Sequence, residues 1–255
     1  MIWRKLLVYL CPLVSFLATE LAYRYYNTGW LYIFPSLGLF FLLITIKAIS
    51  KEKIFSRDFF YLALLPVLLI VTMTIFGLLP VPAAMLHLIL ALAVVFLYLY
   101  LDNTFLLYYL PAKYKLNALE NLSSVLNLLV FFLSIINLNA LNTFLNLALW
   151  QLSLLLVLIN SLLIMQSFWS NRFNDRIRYV FLLIINVVIV EFFWALSFLP
   201  MNFFTNSIIL TLIYYIIWGL LKAKFTQTLD KKIIWRYLLI SLLLLIVIII
   251  TSTWI

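Results

Sequence analysis

The sequence predicts an all-α fold, a polytopic bundle of about nine transmembrane helices with the N-terminus on the inner side of the membrane and the C-terminus on the outer side. Of its 255 residues, 67% are hydrophobic and only 10% are charged, whereas a soluble globule is about half apolar and a quarter charged. Apolar stretches of about 17 to 25 residues fill the chain, and each is long enough to cross about 30 Å of hydrocarbon as a helix. The distribution of Lys and Arg then fixes the number of crossings.

Nine apolar segments follow one another, with short linkers between them. Four linkers are rich in turn-forming residues and uncharged, near Asn27, Pro80, Asn137 to Asn142, and Pro200. No linker leaves room for a soluble module, so we expect one transmembrane domain over residues 1–255. The predicted spans are about residues 5–22, 30–47, 59–79, 83–101, 118–138, 144–169, 179–199, 206–221 and 235–254.

The orientation follows from the positive residues, which resist translocation in short loops and stay on the inner side. With the N-terminus inside, nine alternating crossings leave Arg24 as the one positive residue outside among the 17 Lys and Arg. The same bias explains the net charge of +9. We therefore expect a bacterial cell membrane, membrane lipids as partners with anionic headgroups on the inner leaflet, and no nucleic acid.

A weak internal repeat is also suggested. Shifting the chain by about 120 residues superposes spans one to four on spans five to eight and places Pro80 on Pro200. Between residues 36–101 and 156–221 there are 12 identities in 66 positions, which the composition alone could supply. A parallel four-plus-four repeat with one further helix is a hypothesis, and it matters because some transporters build a site between such repeats.

Glu191 is the strongest candidate for a functional polar group. It lies near the middle of the seventh span, followed by Phe192, Phe193 and Trp194. An ionisable residue inside the membrane costs about 2.5 to 3.5 kcal/mol and is a functional candidate for that reason. The alternative is a neutral glutamate that forms a hydrogen bond to a neighbouring helix.

His87 and Glu20 are the other ionisable candidates, near the outer ends of the fourth and first spans. The order and spacing of Glu20 and Arg24 favour an ion pair on one helical face. His87 is the only histidine, and because zinc sites need three or four ligands we expect no metal site. The predicted topology puts Glu20, His87 and Glu191 in the outer half of the membrane, where one outward-opening cavity could hold all three.

Asn160 and Asn186 are uncharged candidates that either line a pathway or join helices by hydrogen bonds. Asp102 and Asn103, at the inner end of the fourth span, resemble a helix terminus in the headgroup region. No hydrolase, metalloprotease or nucleotide-binding motif is present, so we assign no catalytic residue and no cofactor.

Three functions remain open. The first is a non-enzymatic protein that handles a small or lipid-like solute through the outer polar cavity. The second is a scaffold or assembly subunit without a ligand. The third is an intramembrane enzyme acting on a lipid-linked substrate, with Glu191 as a general base.

Overall fold

The computed structural model of the protein describes residues 2–25, 29–173 and 177–251. All regular elements within these ranges are helical, and a single 3₁₀ turn, Pro111–Lys113, follows the fourth α-helix. The α-helices in these ranges are α1 Ile2–Arg24, α2 Trp30–Ile49, α3 Arg57–Phe76, α4 Ala83–Tyr109, α5 Ala118–Leu145, α6 Leu149–Ser170, α7 Arg178–Ser197, α8 Phe203–Phe225 and α9 Lys231–Thr251.

Eight of the described helices, α1 to α8, are long and apolar enough to cross a membrane. The chain is therefore a multi-pass membrane-type protein, and the predicted all-helical fold is confirmed. The ninth helix, α9, coincides with the ninth predicted span as far as Thr251. Residues 252–254 of that span, and residues 27 and 28 of the first predicted turn, lie outside the described residues. The side on which each terminus lies stays a prediction.

Two helices run further than the apolar pattern suggests. Helix α4 continues through Asp102 and Asn103 to Tyr109, because the Asn103 amide donates to the Leu99 carbonyl at 2.8 Å and the helix meets no breaker before Pro111. Helix α5 continues to Leu145, through the asparagine-rich segment that the sequence predicts as a linker. Polar residues near the end of a span therefore do not end these helices.

The chain forms two compact units by its contacts. The first comprises Met1–Val130 with Trp169–Asn171, and the second comprises Phe131–Phe168 with Arg172–Ile255. Helices α1 to α4 thus belong to the first unit, and α7 to α9 belong to the second. The prediction of one transmembrane domain stays a prediction.

In the first unit, α1 packs closely on α2 and also contacts α3 and α4. Small residues make this close approach of α1 and α2 possible, since a Cβ at Gly38 would lie 3.2 Å from the Cβ of Ala18. Between α3 and α4, the fully buried Tyr100 donates its hydroxyl to the Leu62 carbonyl at 3.0 Å. These contacts pack α1 to α4 together in the first unit.

In the second unit, α8 packs against α7 and α9. It also contacts α5, where the Asn139 amide donates to the Ser207 hydroxyl at 2.9 Å. This buried hydrogen bond shows that Asn139, in the predicted turn, joins α5 to α8 from within a helix. Gly219 of α8 lies directly under the ring of Tyr237 of α9.

The helix bounds repeat with the period that the sequence suggests. Helices α2, α3 and α4 begin at residues 30, 57 and 83, and α6, α7 and α8 begin at residues 149, 178 and 203. The turns that contain the two prolines have the same hydrogen bonds: the amide of Val81 donates to the Leu79 carbonyl, and that of Met201 donates to the Leu199 carbonyl, each at 2.8 Å. The repeat hypothesis is thus supported at the level of helix bounds and turn geometry.

Candidate functional site: a groove beside α1 and α4

Glu20 lies in the last turn but one of α1, and its side chain is only 14% exposed. Its Oε1 accepts a hydrogen bond from the Nε of Arg24 at 3.2 Å. The predicted ion pair between these two residues is therefore present. Because Arg24 is one helical turn further on, the pair needs no other element to form.

The second neighbour of Glu20 comes from α4. The Nδ1 of His87 lies 3.5 Å from the Glu20 Oε2. This distance is within ion-pair range but long for a hydrogen bond, and Oε2 is buried with no hydrogen bond from the described residues. The carboxyl group of Glu20 thus lies between two basic side chains, one from its own helix and one from α4.

These three residues line a groove of about 390 Å³. Its remaining wall is apolar and comes from α1, formed by Phe16, Leu17 and Leu21. The groove therefore combines a charged end with an apolar side, which is the pattern that an amphipathic molecule requires.

The two basic side chains of the groove are more exposed than its carboxylate. The Arg24 and His87 side chains are 68% and 50% exposed, against the 14% of Glu20. Among the described residues, the contact with Glu20 is the one polar contact of each, so the Arg24 Nη atoms and the His87 Nε2 remain for a ligand. A molecule entering the groove would meet hydrogen-bond donors first.

Asn160 and Asn186 form a contact between α6 and α7 in the second unit. The Asn160 amide donates to the Asn186 Oδ1 at 2.9 Å. The Asn186 amide donates to the Ser161 hydroxyl at 2.9 Å and to the Leu182 carbonyl at 3.0 Å. Since both asparagines are buried, the structure favours the interpretation that they join helices.

Glu191 also belongs to the second unit, on α7, where its side chain is exposed. No polar side chain among the described residues contacts its carboxyl group. The cavity predicted to hold Glu20, His87 and Glu191 together therefore stays a prediction for Glu191, while Glu20 and His87 do lie side by side.

Sequence reasoning missed two features of these sites. Arg24 is treated there only as the partner of Glu20, although its exposure makes it the main cation of the groove. The Trp194 indole, interpreted as part of an apolar run, donates to the Ser153 hydroxyl at 2.6 Å. The Ser153 hydroxyl in turn donates to the carbonyl of Leu149, four positions earlier in α6. The sequence signal for this contact is Ser153, a polar residue inside an apolar span.

Within the described residues, no group of three or more His, Cys, Asp or Glu side chains comes together that could hold a metal ion. The groove itself brings together one carboxylate, one guanidinium and one imidazole beside an apolar wall.

Residues 45–251 match a family model described as "Protein of unknown function (DUF5656)". No curated protein matches the chain, and no solved structure does. The match begins inside α2, so it includes His87 and Glu191 but not Glu20 and Arg24. The α1 side of the groove is therefore a feature of this chain that the family match does not cover.

Proposed function

Because the chain belongs to the DUF5656 family, whose description assigns no activity, we propose a function from the geometry of the groove. The protein is a non-enzymatic membrane protein that binds a lipid-like molecule with an anionic head. The head contacts Arg24 and His87, and the tail lies along the apolar wall of α1. The observation that carries this proposal is the exposure of the two basic groups around a carboxylate that is nearly buried.

Charge decides the class of head group. The Glu20 Oε1 accepts from Arg24 and its Oε2 is buried, so a cationic head would have to displace a side chain to reach the carboxylate, whereas an anionic head can bind the exposed donors. A phosphate or carboxylate suits the guanidinium best because both accept two parallel hydrogen bonds from it. Glu20 then positions Arg24 and His87 and does not contact the ligand itself.

Depth decides where the head lies. Glu20 is four residues before the end of α1 and His87 is four residues after the start of α4, which is about 6 Å from the helix ends at 1.5 Å per residue. The charged end of the groove is therefore near the headgroup region, and the apolar wall continues toward the hydrocarbon. This arrangement matches the polarity of a lipid in its own leaflet.

The membrane and its side follow from the predicted topology. We propose that the protein lies in a bacterial cell membrane with its N-terminus inside, so that the groove opens at the outer face and the basic linkers contact anionic headgroups at the inner face. The scaffold and enzyme alternatives stay hypotheses. The enzyme alternative lacks support because Glu191 has no acid, base or nucleophile in contact among the described residues.

The proposal is tested with dodecyl phosphate as the anionic probe and dodecyl maltoside as its neutral counterpart, added to the full-length protein in phosphatidylcholine nanodiscs. Binding is measured by calorimetry. Dodecyl phosphate should bind the wild type, and Arg24→Gln should weaken binding about tenfold, which corresponds to about 1.4 kcal/mol for one lost charge-assisted contact. His87→Gln should weaken binding by less, because it removes one hydrogen-bonding ring and leaves the guanidinium in place.

Lys115→Gln is the matched control, since it removes one exposed positive charge in the linker after α4. It should leave the affinity unchanged. Equal affinities of the two probes, or an equal loss in the control variant, would show that the groove does not recognise an anionic head.

A further inference from the structure

Glu191 and the groove carry complementary polar groups, an acceptor on one and donors on the other. Glu191 is an exposed carboxyl without a polar partner among the described residues of its own unit, and the groove has exposed donors, the Arg24 Nη atoms and the His87 Nε2, that do not contact Glu20. From this complementarity we infer that copies of the protein associate head to tail, with Glu191 of one copy bound at Arg24 and His87 of the next. The inference rests on the same groove as the proposed function and deepens it, because the neighbouring copy would then compete with the lipid head.

Exposed residues along α7 and at the position directly after it form a stripe that contains Glu191. Its members are spaced three or four residues apart, so they lie on one side of the helix. All but Glu191 are apolar, and each is exposed. We call this set the Glu191 stripe: Val180, Ile184, Val187, Glu191, Trp194 and Phe198.

Contacts with α6 hold this stripe in its orientation. Asn186 forms hydrogen bonds with Asn160 and Ser161, and the Trp194 indole forms one with Ser153. Ile185, Ile189, Phe193 and Leu196 are buried on the opposite side of α7. Helix α7 therefore cannot rotate to bury Glu191 without losing three hydrogen bonds and an apolar contact face.

An exposed glutamate at this depth needs an external partner. Glu191 is six residues before the last residue of α7, which is about 9 Å along the helix. A charged group inserted at this depth is unfavourable unless it is paired. Contact with a basic side chain offsets that cost, whereas lipid tails offer no hydrogen bond.

The chain itself offers basic groups at a similar depth. Under the predicted topology, the start of α4 and the end of α7 lie at the same membrane face, and His87 is about 6 Å from the start of its helix. The longer reach of the Arg24 side chain covers the remaining difference. The apolar wall of the groove also suits the apolar residues that flank Glu191 in the stripe.

Such an interface is heterologous, since it joins two different surfaces of the same chain. Association of this kind gives closed rings or open chains and not an isologous dimer. This difference allows a sharp test, because a copy that lacks one surface still has the other.

The experiment measures self-association of the fluorescently labelled full-length protein by energy transfer in phosphatidylcholine vesicles, over a range of protein-to-lipid ratios. Glu191→Gln and Arg24→Gln should each weaken association about three- to twentyfold, the range that interhelical polar contacts of about 0.6 to 1.7 kcal/mol give. Glu120→Gln, whose carboxyl contacts Tyr114 within the chain, is the control and should associate like the wild type.

Mixing the two variants distinguishes the proposed interface from any other. An equimolar mixture should recover association between unlike copies, because the Glu191→Gln copy still has a groove and the Arg24→Gln copy still has Glu191. Association in the mixture should not continue beyond dimers, because each variant has only one of the two surfaces. No recovery on mixing, or unchanged association of either single variant, would overturn the inference.

The lipid and assembly proposals can fail separately. Dodecyl phosphate should dissociate the wild-type assemblies if both are correct. If association depends on Glu191 but persists with saturating dodecyl phosphate, then Glu191 binds at a surface other than the groove. Circular dichroism of each variant in the same vesicles establishes that Glu191→Gln and Arg24→Gln retain the wild-type helix content.

Discussion

Replacing Asn186 by Leu should destabilise the second unit more than the loss of a hydrogen bond between helices usually does. Asn186 exchanges two hydrogen bonds of 2.9 Å with α6, one from Asn160 and one to Ser161. Contacts of this kind contribute about 0.6 kcal/mol on average and up to about 1.7 kcal/mol each, so their direct loss amounts to roughly 1 to 3 kcal/mol. The substitution also leaves the fully buried Asn160 amide without its acceptor, which adds about 1 to 3 kcal/mol.

The second part of that cost disappears when both asparagines are replaced. Asn160→Leu/Asn186→Leu removes the donor together with its acceptor, and such a paired apolar replacement can be nearly neutral. The free energy of unfolding, measured by titration with SDS in mixed micelles, should therefore be higher for the double variant than for Asn186→Leu alone. Strictly additive losses in the double-mutant cycle would mean that the two side chains do not contact each other, and would refute this account of α6 and α7.

Two further predictions concern α9 and the topology. Gly219→Ala should reduce the free energy of unfolding by about 1 to 3 kcal/mol, because its Cβ would overlap the Tyr237 ring. The control Gly77→Ala should change it little, since the nearest atom to that Cβ is 3.5 Å away. Equal effects of the two variants in the same SDS titration would contradict the close packing of α8 and α9. A reporter active only outside the cell should be active when fused near Pro200 and inactive when fused near Lys113, and the reverse pattern would contradict the predicted orientation.

The sequence predicts the helices well because their cause is local. The length of each apolar segment is set by the membrane, and an apolar stretch of this length forms a helix whatever it packs against. The pair of Glu20 and Arg24 is predicted for the same reason, since a spacing of four residues is a property of one helix. The bounds of α5 are less well predicted because its asparagines look like turn residues until Ser207 is known to face Asn139.

Contacts between helices could not be predicted from one sequence. The neighbour of Glu20 on α4, His87, is 67 residues further along the chain, and only the packing of α1 on α4 brings the two together. The same holds for Asn160 with Asn186. The period of apolar residues does not help, because a helix in lipid is apolar on all sides and its buried face carries no hydrophobic signal.

Glu20 and Glu191 show that a carboxyl group on a membrane-type helix can be interpreted only together with its neighbours. Glu20 has Arg24 and His87 within 3.5 Å, so its charge is compensated inside the chain, while the side chains of Arg24 and His87 stay exposed. Glu191 has no such neighbour among the described residues, and α7 is held so that it stays exposed. A chain with an unsatisfied acceptor on one surface and unsatisfied donors on another is stabilised by anything that satisfies either. A lipid phosphate satisfies only the donors, whereas a second copy satisfies both, and this difference makes assembly and lipid binding competing outcomes of one arrangement of charges.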